Sequence, residues 1–176
     1  MTMNLIGKHI YLRPVKRDDA LSIFLYAGDE KTTTYMLWGP NTYSDTLRYV
    51  EATLELDKKV NKTIYRFAII LKHSDDLIGM IDLTLKNTHV AELGYILNQA
   101  YWGRGYTTEA ARIMIKYGFQ TLGLTKIIAT CDKRNIASYK VMEKLGMHFV
   151  GTYTRFNPKT EGELEGLLYE YDKNNH

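Results

Sequence analysis

The chain has 176 residues, 45% hydrophobic and 24% charged, which are the proportions of one folded domain and leave too little chain for two. Its 23 lysines and arginines against 20 aspartates and glutamates give a formal charge of +3, and the basic residues are scattered, which argues against a nucleic-acid partner. The apolar runs are too short to cross a bilayer and MTMNLIGKHIYLRP lacks a signal-peptide core, so the expectation is a single cytoplasmic domain, residues 1–176, with no membrane partner.

In chain order, KHIYLRPV (residues 8–15) alternates as a strand, and RDDALSIFLYAGD (17–29) carries apolar residues at helical spacing. An aromatic loop, YMLWGPN (35–41), leads to a second helix that Ser44 can cap and that runs to about residue 59, with Leu47, Val50 and Leu54 on one side. IYRFAIIL (64–71), LIGMIDLTLK (77–86) and HVAELGYILN (89–98) read as strands joined by short turns, hence antiparallel neighbours. A long helix after Gly105 and the strand KIIATC (126–131) complete a crossover, which implies a parallel pair. RNIASYKVMEKLG (134–146) is a short helix, and residues 147–154 and 163–172 supply two last strands, which leave an edge for a homodimer. The expected fold class is α+β: a mixed, mostly antiparallel sheet of six to seven strands flanked by about four helices.

Cys131 is the only cysteine, and its place in KIIATC reads as a buried apolar position without chemistry. His9, His73, His89, His148 and His176 pair at no metal-ligand spacing, so no metal is expected.

The junction YWGRGYTTEA, Tyr101 to Ala110, lies between a strand and a helix. Free amides and the dipole at a helix start attract anions, and Gly103 and Gly105 let a phosphate approach the main chain. Arg104 between them adds charge or points to solvent. A dinucleotide-binding unit would carry its glycines after the first strand of a β-α series, whereas this junction follows several antiparallel strands. The ligand expected is another phosphate-bearing cofactor.

IYLRPV, the WGPN loop, IGMIDL, AELGYILNQAYWGRGYTTEA and RNIASYKVMEKLGMHFVG together resemble the GNAT superfamily of acetyl-CoA-dependent N-acetyltransferases, within it the RimJ/RimL-like branch of ribosomal-protein N-terminal acetyltransferases. The resemblance covers nearly the whole chain. It implies acetyl-CoA as cosubstrate, its pyrophosphate on the amides of Gly103, Arg104, Gly105, Tyr106 and Thr107, and its pantetheine arm along the strand edge at Tyr95, Ile96 and Leu97. The superfamily pattern Q/R-x-x-G-x-G/A is broken by Ala100, with Gln99 one place earlier. Direct attack of an amine on acetyl-CoA in a ternary complex is implied, in keeping with a sequence that offers no convincing Ser-His-Asp or Cys-His set.

Glu92 is the candidate general base, because strand alternation puts Val90, Glu92, Gly94 and Ile96 on one face and a carboxylate among apolar residues must be hydrated, paired or used. A surface glutamate, or one held by a structural arginine, fits the same pattern. Asn135 and Ser138 share one face of the late helix with Met142. The resemblance puts Asn135 on the pantetheine and Ser138 near the sulfur, while their residue types equally suit a helix cap and a bond back to the helix. Many superfamily members carry a tyrosine acid where this chain has Met142, and a thioether donates no proton. Tyr35, Trp38 and Asn41 lie where the resembled fold builds its acceptor pocket, or form a lid on the core. The acceptor expected is a protein N-terminal amine or a small amine. Met142 and Ala100 keep open a coenzyme A-binding regulatory module without turnover, and a nucleotide-binding protein is a third reading.

Overall fold

The central strands of one eight-stranded sheet bury apolar side chains on both faces, and the helices divide between those faces. The computed structural model describes residues 4–173, so the ends of the expected 1–176 domain, with His176, lie outside the described residues. The elements are β1 (Leu5–Ile6), β2 (Ile10–Arg13), α1 (Ala20–Ala27), α2 (Glu30–Thr33), α3 (Tyr43–Asp57), β3 (Ile64–Leu71), β4 (Leu77–Leu85), β5 (Val90–Leu97), α4 (Tyr106–Gln120), β6 (Lys126–Asp132), α5 (Ile136–Lys144), β7 (His148–Asn157) and β8 (Gly162–Asp172). The strand order is β1-β2-β3-β4-β5-β6-β8-β7, with β5 and β6 parallel and every other pair antiparallel.

The mixed sheet matches the expected class, with eight strands and five α-helices among the described residues rather than six to seven and about four. The additions are short. β1 is two residues that pair with Leu12 and Tyr11, and α2 is a single turn whose cap, Asp29, accepts from Thr32 N at 2.7 Å. Neither is long enough to leave a period in the sequence.

The expected cap of α3 also shifts. Thr42, not Ser44, is its N-cap: Thr42 Oγ1 accepts from Asp45 N at 3.1 Å while Asp45 Oδ2 accepts from Thr42 N at 2.8 Å, a reciprocal capping box. Ser44 sits inside the helix, where its Oγ accepts from Arg48 at 3.1 Å.

One apolar cluster, containing Leu83, Leu93, Met114 and Ile127, lies between the sheet and α4 with α5; the other, containing Ile23, Val50, Ile70 and Met80, lies under α1 and α3. Asp19 is buried at the start of α1 and takes a bidentate pair of bonds from Arg13 at 2.7 and 2.8 Å, which ties that helix to β2. The face under α1 and α3 carries the polar residues that matter next.

Candidate active site

The sheet opens in its middle. β5 and β6 pair only through Val90, Ala91 and Glu92 against Lys126, Ile127 and Ile128, and beyond that the two strands diverge. The stretch holding Tyr95, Ile96 and Leu97 therefore faces a cleft. Tyr95 Oη reaches across it to α5, donating to Ser138 O at 2.9 Å and lying 3.1 Å from Ser138 Oγ. Burial pushes the Tyr95 phenol well above its ordinary range, against the weaker lowering by Ser138, so the hydroxyl keeps its proton. Ile96 packs toward the α1 and α3 cluster, and Leu97 O accepts from Trp102 Nε1 at 2.7 Å.

At one end of this cleft stands the start of α4. Gly103 and Gly105 have φ of 74° and 81°, left-handed values that other residues adopt only with strain, and a Cβ on either would meet nothing within 4 Å. Gly105 is the N-cap and no side chain caps the helix, so the amides around Tyr106 and Thr107 have no side-chain partner. These open amides fit a diphosphate. Arg104 is exposed with its guanidinium 5.8 Å from the Tyr101 ring centre, and Glu109 in the same first turn is tied to His9.

Glu92 lies at the apex, where pairing stops. Its carboxylate meets Lys86 Nζ at 2.5 Å and accepts from Thr130 Oγ1 of β6 at 2.7 Å. Burial works to raise this carboxyl, but the bonds from Lys86 and Thr130 and the charges of Lys86 and Arg155 outweigh it and hold it below the usual glutamate range. The partner is a lysine, not the structural arginine weighed from sequence.

On the same face a cavity of about 410 Å³ is lined by Tyr26, Met36, Trp38, Asn41, Tyr49 and Ile96 among others, over Arg66, Asp82 and Gly94. Trp38 and Asn41 thus share one wall, whereas Tyr35 stands outside it with the Arg134 guanidinium 5.9 Å from its ring centre. Arg66 donates to Asp82 at 3.3 Å and to Thr53 at 3.0 Å and lies 4.8 Å from the Tyr49 ring centre. Burial raises the Asp82 carboxyl, partly offset by Arg66. Arg66 and Asp82 were passed over in the sequence, although each is a charge in an apolar strand, the pattern that singled out Glu92.

Asn135 caps α5, its Oδ1 accepting from Ser138 N at 3.1 Å, and this places Ser138 in the first turn facing Tyr95. Met142 is buried in the core. Cys131 is buried beside Ser138, and burial pushes its thiol up to about 11. Among the described residues no group of three or more His, Cys, Asp or Glu side chains could hold a metal, and no helix is long and apolar enough to cross a membrane.

Residues 9–148 match the family model described as the acetyltransferase (GNAT) domain. The chain is 32% identical over 158 residues to the uncharacterized N-acetyltransferase YnaD of Bacillus subtilis, covering 89% of each, and 28% identical over 145 residues to the spermidine N(1)-acetyltransferase of Escherichia coli (strain K12), covering 81% of this chain and 74% of that one. A GNAT-family acetyltransferase structure from Bacillus anthracis superposes with a TM-score of 0.85 at 29% identity, covering 97% of this chain and 98% of the other. A sheet split beside an uncapped, glycine-started helix is therefore accompanied by a family match over most of the sequence, and the chain belongs to the GNAT acetyltransferases, a family of acyltransferase enzymes.

Proposed function

We propose that the protein transfers the acetyl group of acetyl-CoA to a primary amine by direct attack in a ternary complex. The observation that carries this is the cleft between β5 and β6, with open amides at one end and a carboxylate at its apex. The amides of Gly103, Arg104, Gly105, Tyr106 and Thr107 hold the diphosphate, the edge at Tyr95, Ile96 and Leu97 pairs with the pantetheine arm, and the Asn135 amide group completes the binding wall. Bound acetyl-CoA supplies a thioester carbonyl carbon and a thiolate leaving group.

Glu92 is fixed as an anion, so it orients a water that takes the amine proton rather than acting as a strong base itself. The new N–C bond forms as the C–S bond breaks, Ser138 Oγ–H, held 3.1 Å from Tyr95 Oη, gives its proton to sulfur, and solvent returns a proton to Ser138 as the amine proton is released. Met142, buried in the core, takes no part. Trp38 and Asn41 line the acceptor cavity, with Tyr35 outside its lining beside Arg134.

The acceptor is a protein N-terminal amine or a small amine; IYLRPV, the WGPN loop and YWGRGYTTEA favour the RimJ/RimL-like branch, and the relative named for spermidine keeps small amines in view. The exposed edge strand β7, with Phe149, Val150 and Phe156, is the surface we propose for a homodimer. Calorimetric titration with acetyl-CoA and with ATP, followed by a thiol-release assay against peptides, polyamines and amino acids, tests the reading. Binding of acetyl-CoA with amine-dependent thiol release is expected. Tighter binding of ATP would overturn it, and acetyl-CoA binding without release to any amine would favour the regulatory module.

A further inference from the structure

We infer that the acceptor is an α-amino acid with an uncharged, apolar side chain, its carboxylate taken by Arg155 and Tyr153 and its side chain by the cavity under Trp38, with the amine between them at Glu92. The inference rests on the acetyltransferase reading above and names the substrate of that site.

Two polar groups on one strand carry it. Arg155 Nε and Tyr153 Oη are both buried with no hydrogen-bond partner among the described residues. Buried donors are ordinarily paired, and a guanidinium presents a fork suited to a carboxylate. The registers place both on the face that holds Glu92: Tyr153 pairs with Gly166 and Arg155 with Leu164 on β8, and Gly166 pairs with Asp132 on β6. Gly166 leaves no room for a side chain beneath the Tyr153 ring, which lies over it toward β6, and the Arg155 guanidinium is 5.5 Å from that ring's centre. Both side chains thus fold back toward the cleft.

The carboxylates on this face are already engaged. Asp132 is held by Arg134 through Nε at 3.0 Å and Nη2 at 2.6 Å, and Glu92 by Lys86 and Thr130. Arg155 acts on both through its charge, and its Nε is left without a hydrogen-bond partner among the described residues. The cavity lies on the β3 to β5 side of the cleft and Arg155 on the β7 side, with Glu92 at the apex between. Arg66 and Asp82 on the cavity floor bind each other, which leaves the aromatic and methionine walls to receive an uncharged group. A polyamine would bring further positive charge toward the Arg155 guanidinium. The products are an N-acetylated amino acid and coenzyme A: the amine nitrogen gains the acetyl carbon, the thioester C–S bond breaks, and the amine proton leaves through the Glu92-held water.

The test is steady-state kinetics of the full chain with leucine, methionine and phenylalanine, their carboxamides, their decarboxylated amines, spermidine, and short peptides beginning with the same residues. Amino acids should exceed their carboxamides and decarboxylated amines in kcat/KM by at least about 30-fold, the order expected for charge-assisted bonds. R155Q should collapse that ratio mainly through KM, and R155K, which keeps the charge but not the fork, should retain part of it. Preference for spermidine, a peptide or a decarboxylated amine overturns the inference, as does an equal loss for all acceptors in R155Q or an absence of turnover with every amino acid. Acetyl-CoA titration alongside separates the failures: retained binding sinks only the acceptor assignment, and lost binding sinks the donor reading with it. Should R155Q not fold, the carboxamide comparison on the unaltered chain and R155K decide.

Discussion

Glu92 owes its charge to Lys86 and Thr130, and the same neighbours make it a weak base. Its folded carboxyl lies below the ordinary range, so its contribution to stability and to rate is present at neutral pH and lost only as pH falls through that lowered value. The neutral and alkaline rise of kcat/KM should then follow the acceptor amine. Lys86→Ala removes one of the holding groups, and the acid limb of the pH profile should move upward. Glu92→Gln should lower kcat roughly 100-fold while acetyl-CoA affinity in calorimetry stays within about twofold. An unmoved acid limb in Lys86→Ala would show that another group sets it. Tyr95 and Ser138 call for a different test, because the two hydroxyls touch. Ser138→Ala and Tyr95→Phe should each slow thiol release about tenfold or more, and the double variant should be no slower than the worse single one. Independent, additive losses would break the pair.

At the scale of elements, α4 starts without a side-chain cap, an arrangement that leaves its amides to a ligand. Gly105→Ala should cost about 1–2 kcal/mol in chemical denaturation, from the left-handed backbone, and weaken acetyl-CoA more than tenfold because the new methyl enters open space at the amides. Equal acetyl-CoA affinity in that variant would show that the diphosphate lies elsewhere. This junction was legible because glycine, strand end and helix start are all local features. So were β3 and β4, whose apolar runs are set by burial on both faces, and the first half of β5, where buried residues alternate. The cap of α3 was misread because Thr42 and Ser44 are both good caps two residues apart, and only Asp45, three residues after Thr42, decides between them. Arg155 was illegible for another reason. In sequence it falls just past the expected strand 147–154, whereas β7 runs on to Asn157, and only the order β6-β8-β7 brings it to the face of Glu92.

The whole molecule is two half-sheets, β1 to β5 and β6 to β8, joined in the ladder by three residue pairs. Other links between the halves include the apolar core shared by Leu93, Met114 and Ile127, main-chain bonds from Thr125 N and Lys126 N to His89 O at 2.9 and 3.2 Å, and side-chain bonds from Thr130 to Glu92, Tyr95 to Ser138, and Lys159 Nζ, in the turn after β7, to Thr33 O at 2.8 Å. A ligand that pairs with the β5 edge and touches α5 adds to this seam without altering either half. Acetyl-CoA at about 100 times its Kd should therefore stabilise the fold by about 2.7 kcal/mol, a rise of roughly 5–10 °C in Tm for a chain of this size. Hydrogen exchange locates the effect. Slowing should concentrate in residues 93–97, in the first turn of α4 and in the first turn of α5, with β1, β2 and the β7 edge left nearly as they were. Slowing spread evenly over both half-sheets would mean that the ligand acts by general tightening, and the seam would no longer be where acetyl-CoA binds.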